Sequence, residues 1–208
     1  MPTVRSQLLE VVRDAYPETF EGLSPSKPLG ESVFSGQTPH PNEVLKLFVQ
    51  QNLTSVLPMA YYMAARRGLD SLMDKHLPQN ATLPPDVLRS AIRGLITLRE
   101  VELNGTHRLV FGPKDSHLTR PGTKCPSSTP TNPAMLEASQ KVFDHIVDHS
   151  QQGTKVLQVP KFYQDSGDAP LPVFRDFCCI CVGKWKVEHA DLRKKAWLML
   201  PDAFGLKG

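Results

Sequence analysis

The stretch at 84–102 constrains the fold most. Val87, Leu88, Ala91, Ile92, Leu95 and Leu98 recur at three- and four-residue steps, whereas Arg89, Ser90, Arg93, Thr97 and Glu100 fill the opposite side. A helix completes a turn in about 3.6 residues, so this spacing lays the apolar groups along one face. It predicts a long amphipathic helix, capped by Thr82, whose apolar face must be buried. Gly94 costs this helix roughly 1 kcal/mol relative to alanine, too little to break so long a pattern. Beyond it, Asn104-Gly105 reads as a tight turn leading into a short extended piece at 107–111.

The same periodicity recurs on both sides. Leu8, Val11, Val12, Ala15 and Tyr16 predict a helix at 4–16 that Thr3 caps and Pro17 ends. Val44, Leu45, Leu47 and Phe48 predict a second, with Pro41 in its tolerant first turn. A third is expected at 55–68, capped by Thr54 or Ser55, with Val56, Met59, Ala60, Met63 and Ala64 as its stripe and Gly68 as a left-handed stop. One or two further turns follow at 69–76. In the C-terminal part, Leu136, Ser139, Val142, Phe143, Ile146 and Val147 predict a helix at 133–152, and a short extended piece is expected at 154–160. A last helix is expected at 173–200, on the stripe Phe174, Phe177, Cys178, Cys181, Val182, Trp185, Glu188, Leu192, Ala196 and Met199. Gly183 could split it and Pro201 ends it.

Between these segments the prolines gather. The chain has 19 among its 208 residues, about twice the usual share. The run at 112–132, rich in Pro, Ser and Thr, cannot bury enough apolar surface to order itself and reads as a linker. The expected organisation is therefore a helix at 1–20, a loop at 21–40, a helical unit at 41–111, a Pro-rich linker at 112–132 and a helical region at 133–208. The fold class is mainly α, a small irregular helical bundle with long Pro-rich loops and little or no β structure.

Composition excludes several function classes. Lys plus Arg is 24 against 21 acidic residues, a net charge of +3 too small to announce a nucleic-acid surface. No apolar run approaches the ~18 residues of a membrane span, and Met1-Pro2-Thr3-Val4-Arg5 does not open a signal peptide. Four bunched cysteines do not make a disulfide framework, which favours a reducing, intracellular setting in cytoplasm or nucleus. The sequons at Asn52, Asn80 and Asn104 carry no weight in that setting.

Two clusters could bind metal. His117, Cys125, Cys178 and Cys181 offer imidazole and thiolate ligands for a structural zinc that would pin the linker to the last helix. Cys178 and Cys181 also fall on an apolar helical stripe, where free cysteine behaves as a small hydrophobe, and that reading outweighs the metal. His145 and His149 stand one turn apart beside Asp144 and Asp148, without the glutamate of a metalloprotease helix, and read as a solvated face. Asp70 and Asp74 read as helical partners of Arg66. Nucleophile elbows, phosphate-binding loops and dinucleotide fingerprints are all absent, so the chain is read as non-enzymatic and free of cofactors.

Long stretches resemble the region after the BTB core in basidiomycete fungal BTB/POZ domain-containing proteins. They are Leu57-Pro58-Met59-Ala60-Tyr61-Tyr62-Met63-Ala64-Ala65-Arg66-Arg67-Gly68-Leu69-Asp70-Ser71-Leu72, Leu77-Pro78-Gln79-Asn80-Ala81-Thr82-Leu83, His107-Arg108-Leu109-Val110-Phe111-Gly112-Pro113, Cys125, the pair Cys178 and Cys181, and 196–206. The segment at 4–20 resembles the helix that follows the BTB core, and nothing here resembles the β-rich core itself. The resemblance thus implies a short or truncated member, an adaptor or scaffold fragment that binds unidentified protein partners. Homodimerisation through the BTB surface does not carry over, so a homo-oligomer is left open. Tyr61 or Tyr62, Phe204 and Leu206 are the candidate exposed anchors for a partner; the same residues read equally as core, since the apolar tail at 204–206 could pack back. On the exposed reading, deleting 201–208 weakens partner capture and leaves helicity nearly intact.

Overall fold

The structure is a computed structural model describing residues 12, 15–23, 39–74, 76–79, 81–111, 137, 140, 141, 143, 144, 154, 156, 157 and 179–206. Five helices are bounded within them: α1 (Pro41–Gln50), α2 (Leu57–Ala65), α3 (Leu69–Met73), α4 (Pro85–Phe111) and α5 (Cys179–Ala203). Strands are absent among the described residues, and the fold is mainly α as expected.

Some helix starts have a local cause and others depart from the expected one. Pro41 is preset for the first position of α1, and the His40 side chain caps it by accepting the Asn42 N–H at 3.3 Å on Nδ1. Ser55, expected as a cap for α2, instead donates to Glu18 at 2.6 Å and ties the N-terminal turn to the bundle. Thr82 likewise does not cap α4; its hydroxyl reaches back to the Pro78 carbonyl at 3.5 Å. Gly68 has the positive φ expected of it, 91°, and its N–H closes on the Ala65 carbonyl before α3 begins.

The bundle is organised around α2, which touches α1, α3, α4 and α5. Every residue of α2 from Met59 to Ala65 is buried, a helix apolar on all sides and therefore enclosed on all sides. The stripe expected from Val56, Met59, Ala60, Met63 and Ala64 is thus widened by Tyr61, Tyr62 and Ala65. Against this hub α1 sets Val44, Leu45 and Phe48, while Leu47, expected on the same face, is 51% exposed. The N-terminal piece completes the layer: Val12 and Ala15 are helical and buried, and the Tyr16 ring meets Phe48 edge-on at 5.1 Å. Burial in this apolar corner pushes the Tyr16 phenol up to about 12, against the opposing charges of Arg66 and Arg67.

Among the described helices, α4 and α5 pack on each other most extensively. Here two sequence expectations fail for one reason. Asn104-Gly105 is not a turn, and 107–111 is not extended, because α4 runs unbroken to Phe111. A Cβ on Gly105 would lie 2.5 Å from both terminal methyls of Leu192 on α5. The glycine lets two helices approach closely, and burial in that contact outweighs its weak helix propensity.

The end of α5 also differs from expectation. Pro201 does not stop the helix, which continues to Ala203. The stop comes at Gly205, with φ at 70°. The Leu206 N–H bonds the Pro201 carbonyl at 2.7 Å and the Gly205 N–H bonds the Asp202 carbonyl at 3.0 Å, the two bonds of a Schellman cap. Gly183 does not split α5. The buried face is also rotated from the expected one: Arg193, Ala196, Leu200 and Ala203 point inward, whereas Met199 is 37% exposed. At 156–157 the chain forms a turn where an extended piece is expected. Residues 24–38 of the loop expected at 21–40, the linker expected at 112–132 and most of the helix expected at 133–152 lie outside the described residues. Of that helix, residues 137, 140, 141, 143 and 144 are helical, with Glu137 and Lys141 paired at 2.8 Å and Phe143 edge-on to His107 at 6.0 Å.

Candidate functional site

Tyr62, Glu102, Thr154 and Arg193, buried polar residues of the described interior, come together where α2, α4 and α5 meet. The buried row of α4, Val87, Ala91, Leu95 and Leu98, continues at helical spacing to Glu102 and Thr106, so its last two turns bring polar groups into the core. Arg193 enters from α5 and Tyr62 from α2. Between them lies the segment at 154–157, of which Thr154, Val156 and Leu157 are buried.

Three side chains hold that segment, one from each helix. The Leu157 N–H donates to the Tyr62 hydroxyl at 3.3 Å, and Arg193 Nε donates to the Leu157 carbonyl at 2.8 Å. The Thr154 hydroxyl donates to Glu102 Oε2 at 3.2 Å. The guanidinium of Arg193 also lies over the Phe20 ring, 5.5 Å from its centroid, and Phe20 in turn meets Trp197 edge-on at 6.4 Å. Tyr62 has no exposed surface, and Glu102 and Arg193 retain 7% and 8%. Burying such groups is tolerable because hydrogen bonds replace the water they lose.

The electrostatics follow from that enclosure. Burial holds the Tyr62 phenol well above its ordinary value; Arg66 opposes this, the Glu102 charge adds to it, and the Leu157 amide and Arg193 oppose it. Burial also pulls the Arg193 guanidinium below its ordinary value, with Tyr62 acting against it. His189, one turn before Arg193, is pushed down to about 4, first by burial and then by the Arg193 charge. At neutral pH it is therefore an uncharged imidazole.

A second buried polar feature lies at the start of α1. Asn42 is fully buried, its amide donates to the Ser71 carbonyl at 3.4 Å, and its Oδ1 has no partner. This bond joins α1 to α3. Asp74, expected to pair with Arg66, accepts the His76 N–H at 2.8 Å, while the Arg66 guanidinium lies 3.6 Å from Met63 Sδ.

Of the two readings open for the anchor candidates, exposed or core, the structure shows the core one. Phe204 and Tyr62 have no exposed area and Tyr61 retains 5%. Phe204 stacks on Tyr61 with centroids 5.1 Å apart and planes at 23°. Leu206 is partly buried against the same core. Phe204 and Leu206 thus pack against the bundle, and both tyrosines belong to the core. Large apolar side chains do reach solvent in other places, notably Leu69 and Met73 of α3, at 47% and 55% exposure.

Of the metal candidates, His117, Cys125, Cys178, His145 and His149 lie outside the described residues, as does the side chain of Cys181. Among the described residues no group of three or more metal-ligating side chains is brought together, and no helix is long and apolar enough to cross a membrane. Sequence reasoning missed Glu102, Thr154, His189 and Arg193. The first carried a signal, since it follows Ala91, Leu95 and Leu98 on one helical row. No family model, curated protein or solved structure matches this chain.

Proposed function

We propose that this chain is a non-enzymatic protein–protein interaction module, an intracellular adaptor or scaffold fragment like the helical region after the BTB core of fungal BTB/POZ domain-containing proteins. The observation that carries the reading is the outer face of α3. Leu69 and Met73 stand one helical turn apart, 47% and 55% exposed, and so lie side by side. The interior polar groups Tyr62, Glu102, Thr154 and Arg193 are meanwhile engaged with other parts of the chain. A paired apolar face on a short helix suits capture of an apolar stripe on a partner. The test is a Leu69→Glu, Met73→Glu double variant compared with the wild-type chain by quantitative affinity capture. Melting temperature and helicity should hold, because neither side chain fills the core, and a wild-type partner should be lost. Capture of the same proteins by both would overturn the reading, as would a wild-type chain that enriches nothing over an unrelated helical protein.

A further inference from the structure

The exposed face of α3 has two columns. Leu69 and Met73 form one; Asp70 and the cap residue Asp74, each one position further on, form the other. The members of each column stand four residues apart, about 6 Å along a helix axis. The outer face of α4 repeats this layout with the opposite charge. Ile92 is partly buried and Ile96 is 56% exposed, and beside them Arg89 and Arg93 are exposed, again at four-residue spacing. Among the described residues, none of Asp70, Asp74, Arg89 and Arg93 forms an ion pair within its own chain.

The handedness of the two patterns sets how they meet. One residue turns a helix by about 100°. That step leads from Leu69 to Asp70 and from Ile92 to Arg93, so each charged column lies on the same rotational side of its apolar column. Two such faces match when the helices run antiparallel, because turning one helix end over end brings its charged column to the side of the other's. In that register Leu69 and Met73 lie against Ile96 and Ile92, while Asp70 and Asp74 lie against Arg93 and Arg89. Docking α3 on α3, or α4 on α4, would instead set like charges together, at a cost in affinity.

We propose that the α3 face of one copy of this chain docks antiparallel on the outer face of α4 in a second copy. The proposal rests on the reading of α3 as a partner-binding face and names the partner. So small a contact makes association weak, in the range of about 10–500 μM. Sedimentation velocity of the full chain at low salt should therefore show mass above the monomer at the top of that range, and added salt should return it towards the monomer. Asp70→Lys with Asp74→Lys, or Arg89→Glu with Arg93→Glu, should each weaken association at least about tenfold while helicity holds. An equimolar mixture of the two variants should associate again, since Lys then faces Glu in one contact and Asp faces Arg in the other. Asp74 also accepts the His76 N–H. If the α3 variant melts early for that reason, the α4 variant, which leaves α3 intact, and the salt dependence of the wild-type chain carry the test. A wild-type chain that stays monomeric, or folded variants that do not associate on mixing, overturns the proposal. If such a monomeric chain still captures a different protein through Leu69 and Met73, only the second copy falls and the wider reading of α3 stands.

Discussion

Replacing Gly94 by alanine should destabilise this protein, although an exposed helical glycine is ordinarily improved by that change. The side-chain methyl relieves about 1 kcal/mol of helix-propensity cost. In this structure it would also land 1.9 Å from Phe204 Cε1, 2.0 Å from Cδ1 and 2.8 Å from Cζ. Carbon atoms in contact settle at about 3.5–4.0 Å, so the ring must retreat by roughly 1.5–2 Å. It has nowhere to go, because Phe204 is fully buried and stacked on Tyr61. Overpacking that the core absorbs costs about 1–3 kcal/mol, and expelling the ring altogether costs about 3–5 kcal/mol. The net expectation is a loss of about 2 kcal/mol, read as a fall in Tm of roughly 4–8 °C for a chain of this size. Gly183 provides the matched control, since a Cβ there meets nothing within 4 Å. Gly183→Ala should therefore raise Tm by a few degrees, and thermal melts of the two variants should move in opposite directions. In a Phe204→Ala background the obstacle is gone, and Gly94→Ala should become neutral or favourable. If Gly94→Ala stabilises the wild-type chain, or behaves alike in both backgrounds, Phe204 does not pack on this helix.

Three further outcomes are expected. Arg193→Met leaves the Leu157 carbonyl buried without its donor and removes the cation over Phe20, so urea denaturation should show a loss of about 2–3 kcal/mol; a change under 0.5 kcal/mol would mean the contact is dispensable. His189 titrates at about 4 in the folded chain against 6.5 when unfolded, so the unfolded state binds its proton first. Its contribution is intact above pH 6.5 and is lost as the pH falls towards 4, by up to about 3 kcal/mol, a slope that His189→Gln should flatten in unfolding curves across that window. Deleting 201–208 removes the Schellman cap together with Ala203 and Phe204, and should lower Tm and helicity markedly; circular dichroism unchanged from wild type would show the tail to be an accessory.

What could be read in the sequence was whatever obeys helical spacing with apolar residues. α1, α2 and the first part of α4 follow from Val44, Leu45 and Phe48, from 56–65, and from the row through Leu98. The reading broke where that row turns polar. Glu102 and Thr106 continue the same line as Ala91, Leu95 and Leu98, but a carboxylate and a hydroxyl end an apolar pattern by eye even though they stay buried. Asn104-Gly105 then looked like a turn, because glycine carries the same letter whether it frees the backbone or admits a neighbouring Leu192. The wheel of α5 was misphased for a related reason. Its inward face includes the charged Arg193, so a stripe that leaves Arg193 out and runs through Glu188 and Leu192 swings towards Met199 and away from Leu200.

The candidate site was illegible for a deeper physical reason. Arg193 and Glu102 are stable inside only because a segment remote in sequence returns to meet them, bringing the Leu157 carbonyl and the Thr154 hydroxyl. No local pattern in α4, α5 or 154–157 encodes that meeting, since the cost of burying each polar group and the bonds that offset it sit on different parts of the chain. The tail shows the converse. In the sequence Phe204 reads equally as an exposed anchor or a core residue, and Gly94, more than a hundred residues earlier, leaves the gap that decides between them. Such complementarity is a property of pairs, and it becomes visible only when the fold sets the two members side by side.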